Sequence, residues 1–420
     1  VLTFGCRVNQ ADTLELERAL RHRGHASERP ERADVVIVNT CSVTASADQG
    51  ARQTIRRLAR EHPGTPVVVT GCYATRCGDD VATLPGVTVV VPNASKPELA
   101  KHVDAVLHAT ARVGPAIDGP CGAALEPGIA GRTAWTLRVQ TGCDQPCAFC
   151  VIPRTRGHSR SRPLEAIAAE IDEVSGAGFK EIAVTGVHLG AWGRDLSPAR
   201  ALPDLLQMLV DHPADVVYRI SSLEPMDCSG PVRQLLAASP RVAPHFHLPL
   251  QHASDRVLAA MRRPYTLAYY DGLVRELRTR LPRASIGSDV MVGFPGETAD
   301  DHSLNVAWLA GSPLTHLHVF PYSDRPGTPA ADRADKVPGP VIRQRAADVR
   351  RVGEELSARF RASQHGCVLP GLTLEDGTLV VTDNYLKVRI PAGTARNQRV
   401  LVRVFTNRDA ASGVVVDAGR

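Results

Sequence analysis

Three thiols fall within eight residues in the stretch Gly142-Cys143-Asp144-Gln145-Pro146-Cys147-Ala148-Phe149-Cys150. Spaced as CxxxCxxC on a loop leaving a strand, they can converge on one inorganic centre. Zinc would need a fourth ligand, with His158 as the candidate, but structural zinc sites usually pair two knuckles and no second one is present. A [4Fe-4S] cluster has four irons, so three thiolates leave one iron open to an exogenous ligand that can receive an electron. An open iron implies chemistry rather than bracing alone.

Three further cysteines each close a β-branched run: Cys6 after Val1 to Gly5, Cys41 after Val35 to Thr40, Cys72 after Val67 to Gly71. In an open parallel sheet the carboxyl ends of the strands share one edge, where ligand crevices form, so residues far apart in sequence can meet there. One such cysteine is unremarkable, because free Cys is among the most buried residue types. Three at equivalent places point to a second cluster, again with one iron that the chain does not ligate and that could hold sulfur. Cys77, Cys121, Cys228 and Cys367 have no ligand spacing and read as structural.

The elements that must position these groups follow from length and pattern. A chain of 420 residues, 43% hydrophobic and 22% charged, has room for two to four domains and excludes a disordered chain. No apolar run approaches the ~18 residues of a membrane span. The net charge of +5, from 49 Lys+Arg against 44 Asp+Glu, is too small to identify a nucleic-acid partner; only local clusters can. The opening Val1-Leu2-Thr3-Phe4-Gly5 reads as a strand rather than a secretory signal. Ten cysteines in a cytoplasmic chain are metal ligands, catalysts or buried thiols, not a disulfide framework.

An α/β chain with three parts is expected. Residues 1–110 alternate short strands with helices, as an open parallel α/β domain does. Residues 111–132, rich in Gly, Pro and Ala, read as a linker. Residues 133–363 carry six strand candidates separated by helical stretches, a partial (β/α)6 barrel, because closure needs eight, and end in a basic connecting helix. Residues 364–420 turn to short strands and tight turns, a small β-barrel in the style of oligonucleotide-binding barrels.

With the triplet at the mouth of that barrel and Phe149 just before its last cysteine, the chain resembles the radical S-adenosylmethionine (SAM) superfamily. The whole combination is similar to its methylthiotransferase family. The resemblance lies in Gly5-Cys6-Arg7-Val8-Asn9-Gln10, Asn39-Thr40-Cys41, Val69-Thr70-Gly71-Cys72-Tyr73, Arg156 to Pro163, Thr185 to Gly193, Arg219 to Pro225, Gly287 to Glu297 and Phe320 to Pro329. Thr382-Asp383-Asn384-Tyr385-Leu386-Lys387-Val388 resembles the family's small RNA-contacting barrel, known as TRAM. Within the family, Arg-Val-Asn-Gln at 7–10 and Gly-Val-His-Leu-Gly-Ala at 186–191 resemble the branch acting on threonylcarbamoyladenosine in tRNA. Gln251-His252-Ala253-Ser254 departs from it, toward the branch that modifies a ribosomal-protein aspartate.

The resemblance implies two [4Fe-4S] clusters and SAM as cofactors. Cys143, Cys147 and Cys150 would hold the cluster that reduces SAM to a deoxyadenosyl radical, and Cys6, Cys41 and Cys72 the cluster that presents sulfur. Phe149, Thr185, Gly186, Val187, Glu224, Gln251, Gly287 and Asp289 would line the SAM pocket. The product would carry a methylthio group at C2 of the adenosine at position 37, beside the anticodon, at the expense of two SAM molecules. Partners would be the tRNA anticodon loop and a one-electron reductant such as a flavodoxin or ferredoxin, with no membrane. Arg154, Arg156, His158, Arg160 and Arg162 form a run without an acidic residue, suited to phosphate or the SAM carboxylate. Lys387, Arg389, Arg396, Arg399 and Arg403 alternate with apolar positions, as on a barrel with one face toward RNA. Rival readings are the same chemistry on a ribosomal-protein aspartate or on isopentenyladenosine, and a non-catalytic, metal-braced RNA-binding protein.

Overall fold

The computed structural model describes residues 1–109 and 133–416; the linker expected at 111–132, and Cys121 within it, lie outside the described residues. Val36–Thr40 and Val67–Gly71 are buried along their whole length, as strands covered on both faces must be. They sit between Leu2–Thr3 and Val87–Val91 in a four-stranded parallel sheet paired in chain order. Ile55 and Leu58 of the helix Ala45–Glu61 cover one face, on Val36, Val38, Val67 and Val69. Leu16 and Leu20 of Arg7–His22, with Leu99 and Val103 of Leu99–Ala109, cover the other. The first strand is shorter than Val1 to Gly5, because the chain turns at Gly5 to start the helix at Arg7.

Six parallel strands follow: Trp135–Arg138, Glu181–Thr185, Val217–Ile220, His245–His247, Ser285–Val292 and His316–Pro321. They form two three-stranded sheets joined by bridges from Tyr218 to Val242 and from Ser222 to His247. The first and last strands pair on one side only, so the wall stays open. Alternate residues share a face. Leu137, Ile182, Val184, Tyr218, Ile220, Phe246, Ile286, Val290 and Val292 pack outward into the core formed with the helices. The opposite set faces the interior and includes Glu181, Arg219, His245, His247, Gly287, Asp289, His316 and His318. Closed (β/α) barrels fill this space with layers of Val, Ile and Leu; a lining of ions and imidazoles makes it a chamber instead.

The helix Gly339–Ser363 leads to a closed five-stranded barrel, Val368–Leu374, Leu379–Thr382, Lys387–Arg389, Arg399–Thr406 and Ala411–Val416. Its turn at 382–386 docks beneath the larger barrel. Arg219 Nη1 donates to the Asp383 carbonyl at 2.8 Å and Asn384 Nδ2 to the Arg283 carbonyl at 2.9 Å. The Tyr385 ring lies 4.5 Å from that of His245 and 5.0 Å from the Arg219 guanidinium, forming a floor. No helix among the described residues is long and apolar enough to cross a membrane.

Candidate active site

The loop carrying Cys143, Cys147 and Cys150 is pinned by backbone bonds on three sides. Cys143 N–H donates to Gly157 O at 3.0 Å, Ala148 N–H to Met261 O at 3.0 Å and Ala330 N–H to Ala148 O at 2.8 Å. Phe149 packs against the apolar group of Ala148, Val257, Met261 and Phe294. Burial pushes the Cys150 thiol up to about 12 and also raises Cys147, against the opposing pull of Arg263. Arg263 Nη1 lies 3.2 Å from Cys147 Sγ, and its other nitrogen pairs with Glu224. Burial alone would lower His188, but hydrogen bonds to Asp227, 2.7 Å away, and to Cys143 raise it to about 9.

The second trio gathers at the carboxyl edge of the N-terminal sheet. A Cβ on Gly5 would stand 2.3 Å from Cys41 Sγ, so only glycine at this φ of +92° lets Cys6 and Cys41 approach. Burial pushes Cys41 up to about 11, with Cys6 and Cys72 adding to the rise. Thiols held this high keep their protons at neutral pH unless a cation replaces them, which is the condition a metal centre supplies. Among the described residues, the only three ligand-type side chains with atoms all within 4.8 Å of one another are His247, Asp289 and His318. Neither cysteine trio is drawn together that closely, whereas a tetrahedral zinc needs its sulfurs about 3.8 Å apart. His158 Nδ1 bonds Asp144 at 2.7 Å, with the His158 side chain 96% exposed. Three spread sulfurs suit a four-iron cube with one corner left to another ligand.

Asn93 and Arg156 link the segments that carry the two trios. Asn93 Nδ2 lies 3.6 Å from Cys72 Sγ and donates at 2.9 Å to the carbonyl of Thr155, in the helix Ile152–Arg156 that follows Cys150. Arg156 bonds Asp12 at 2.9 Å and Asn9, and carries its charge beside Cys72 and Cys6. Asp12 also takes Lys96 at 2.6 Å and Arg138, while Asp48 takes Arg76 at 2.6 Å and Arg325 at 2.8 Å. These two buried carboxylates lock the sheet to the barrel.

The expected SAM-lining residues divide into two levels. Glu224 stands with Arg263 near the triplet. Thr185 is buried and accepts from Ser221 Oγ at 3.3 Å, with Gly186 and Val187 continuing past that strand end. Gln251, at φ 70°, donates its N–H to Asp289 O at 2.9 Å and accepts from Met291 N–H at 2.8 Å, an irregular extension of the sheet. Gly287 and Asp289 lie deeper. The His316 ring occupies the space where a Gly287 side chain would be, 2.0 Å from an ideal Cβ. Asp289 accepts from His247 Nε2 at 2.8 Å and His318 Nδ1 at 3.3 Å. Burial would raise Asp289, but the two imidazoles hold it well below the carboxylate range.

The basic run after the triplet divides between buried and exposed positions. Arg156 is buried on Asp12, Arg162 pairs with Glu170 at 2.6 Å, and Arg160 is exposed. In the small barrel Lys387, Arg389 and Arg403 are exposed, whereas Arg399 forks onto Asp383 at 2.6 and 2.7 Å and Arg396 donates to Thr133 Oγ1 at 3.2 Å.

Sequence reasoning missed Arg263, the His188–Asp227 pair and the polar chamber wall. The wall did leave a signal: His245-Phe246-His247 and His316-Leu317-His318 put two histidines on one face of each strand.

Residues 1–92 match the uncharacterized protein family UPF0004, and residues 137–305 the radical SAM superfamily. The chain is 32% identical to the threonylcarbamoyladenosine tRNA methylthiotransferase MtaB of Bacillus subtilis, over 92% of this chain and 88% of that protein. It is 34% identical to the MtaB of Aquifex aeolicus, over 92% and 95%. It is also 32% identical, over 89% and 76%, to the tRNA-2-methylthio-N(6)-dimethylallyladenosine synthase of Streptomyces avermitilis. Among solved structures, the radical SAM methyltransferase TsrM from Kitasatospora setae shares the fold, with a TM-score of 0.53 at 17% identity over 76% of this chain and 68% of that one.

Proposed function

Since the chain belongs to the radical SAM methylthiotransferase family, we propose that it places a methylthio group on C2 of N6-threonylcarbamoyladenosine at position 37 of tRNA. Two SAM molecules are consumed, and an exogenous one-electron reductant such as a flavodoxin or ferredoxin supplies the electron. The observation that supports this reading is the link through Asn93 between Cys72 and the helix that follows Cys150, which ties the segments carrying the two cysteine trios together. When bound, two [4Fe-4S] clusters with SAM supply the reduction that cleaves SAM and the sulfur that is transferred.

The chain contributes placement. Cys143, Cys147 and Cys150 hold one cluster at the chamber mouth, with Arg263 donating to Cys147 and Glu224 holding Arg263. Cys6, Cys41 and Cys72 hold the other, under the positive charge of Arg156. Phe149, the segment 185–187, Glu224 and Gln251 line the place of SAM at the strand ends. The exposed Lys387, Arg389 and Arg403 contact the phosphates of the RNA, an attraction that weakens with salt.

Mass spectrometry of tRNA nucleosides from cells with and without the protein tests this directly. Loss of the methylthio form of threonylcarbamoyladenosine is expected, restored by the wild-type chain but not by Cys143→Ala or Cys41→Ala. Loss of methylthio-isopentenyladenosine instead, or a changed ribosomal-protein aspartate, would move the substrate to that rival. Unchanged products with tight tRNA binding would leave a binding protein.

A further inference from the structure

Among the described residues every buried arginine has a carboxylate partner, whereas the half-buried Arg7 keeps one guanidinium nitrogen out of water without any. Arg156 has Asp12, Arg219 has Glu181, Arg263 has Glu224, Arg325 has Asp48 and Arg345 has Glu297. Arg7 has none. Its Nη2 reaches only the Tyr385 hydroxyl, at 3.4 Å, and its Nη1 is buried without any hydrogen-bond partner. An unsatisfied guanidinium nitrogen away from water is expensive, and a planar fork with one free edge is shaped for a carboxylate. Arg7 lies within electrostatic range of Glu181, His245 and His318, which places its charge in the chamber.

The surroundings are graded. The His318 side chain is 58% exposed, and its Nδ1 bond to Asp289 leaves the Nε2 edge free. That bond also holds His318 above the ordinary imidazole value, so it gives up its charge late. Deeper, burial keeps His245 well below the ordinary value and brings His316 down to about 4, so both rings are neutral, and His245 Nδ1 has no partner. Cationic donors on one side and neutral imidazoles on the floor match an acid group carried together with a hydroxyl. They do not match an apolar substituent, which would leave Arg7 Nη1 and His245 Nδ1 without a partner.

We propose that Arg7 and His318, above the floor of His245, His316 and Tyr385, bind the carboxylate of an amino-acid group attached at N6 of the target adenosine. The inference rests on the functional reading above and names what selects its substrate. Arg7 comes from the N-terminal helix, the histidines from the barrel and Tyr385 from the small barrel, so the pocket exists only in the assembled chain.

The test uses the anaerobically reconstituted enzyme and three tRNAs that differ only at N6 of position 37: the threonylcarbamoyl group, its carboxamide and an isopentenyl group. Methylthiolation kcat/KM of the wild type is expected to fall about 100-fold from carboxylate to carboxamide. Arg7→Gln should bring the carboxylate substrate down to the carboxamide level while changing the carboxamide rate less than threefold, and His318→Gln should show the same pattern more weakly. Equal wild-type rates on carboxylate and carboxamide overturn the inference without any variant. Equal losses on all three tRNAs in Arg7→Gln also overturn it, assigning Arg7 to the RNA backbone or to the neighbouring cysteines. A wild type inactive on the threonylcarbamoyl tRNA but active on the isopentenyl one overturns the functional reading itself.

Discussion

Arg263 donates to the sulfur of Cys147 across 3.2 Å while its other nitrogen grips Glu224, 39 residues away. A charge-assisted bond to a thiolate sulfur steadies it and draws electron density from it. Replacing Arg263 by Gln should leave three cysteines able to bind iron but slow reductive cleavage of SAM by about 10–100-fold. Deoxyadenosine release under dithionite, normalised to iron content, measures this; an unchanged rate would remove Arg263 from the site.

Asp12 holds Lys96, Arg138 and Arg156 at the junction of sheet and barrel, with its side chain 1% exposed. Asp12→Asn leaves three cations facing one another and should destabilise the fold by about 3–5 kcal/mol. Burial would raise the Asp12 pKa, but the three cations hold it far below the ordinary value. Its stabilising contribution is therefore complete above about pH 5 and is lost progressively as pH falls from there toward that depressed value. Thermal unfolding between pH 5 and 7 should show a constant gap between wild type and Asp12→Asn.

Glu181 and Arg219 form a fully paired fork, 2.8 and 2.9 Å, inside the chamber wall. Arg219→Met strands a buried carboxylate and unties the Asp383 carbonyl, and should cost about 3–5 kcal/mol. Combining it with Glu181→Leu should recover much of that loss. Denaturant unfolding gives both values, and limited proteolysis near 382–386 should accelerate in the single variant.

Gly5→Ala puts a methyl group against Cys41 Sγ in a left-handed backbone conformation. The expected result is roughly half the iron and sulfide per chain, with SAM cleavage kept and methylthio transfer lost. Retention of both iron complements would show that the two sulfurs need not approach.

The parallel sheet and all six barrel strands are legible in the sequence because buried β-branched runs between helical stretches allow few alternatives. Val368–Leu374 was not, since Pro370-Gly371 at its centre reads as a turn; in the barrel Pro370 pairs with Leu401, its missing N–H tolerated, and its carbonyl accepts from Asp383 N–H at 2.8 Å. The cysteines could be found because their chemistry fixes residue type and spacing. Arg263 and Arg7 could not, because one arginine among 49 Lys+Arg acquires meaning only from what the fold sets beside it. Nor does the spacing of the arginine run 154–162 show that Arg156 turns inward to Asp12.

The wall of six strands leaves one flank unsealed, and the helix beginning at Arg7 stands against it through Arg138, which reaches Asp12 and Glu15. A full ring would have made its middle the property of a single module. Here three neighbouring parts of the chain each furnish one surface of a shared room, so exchanging a side chain in any of them reshapes that room while the cysteine trios stay as they are.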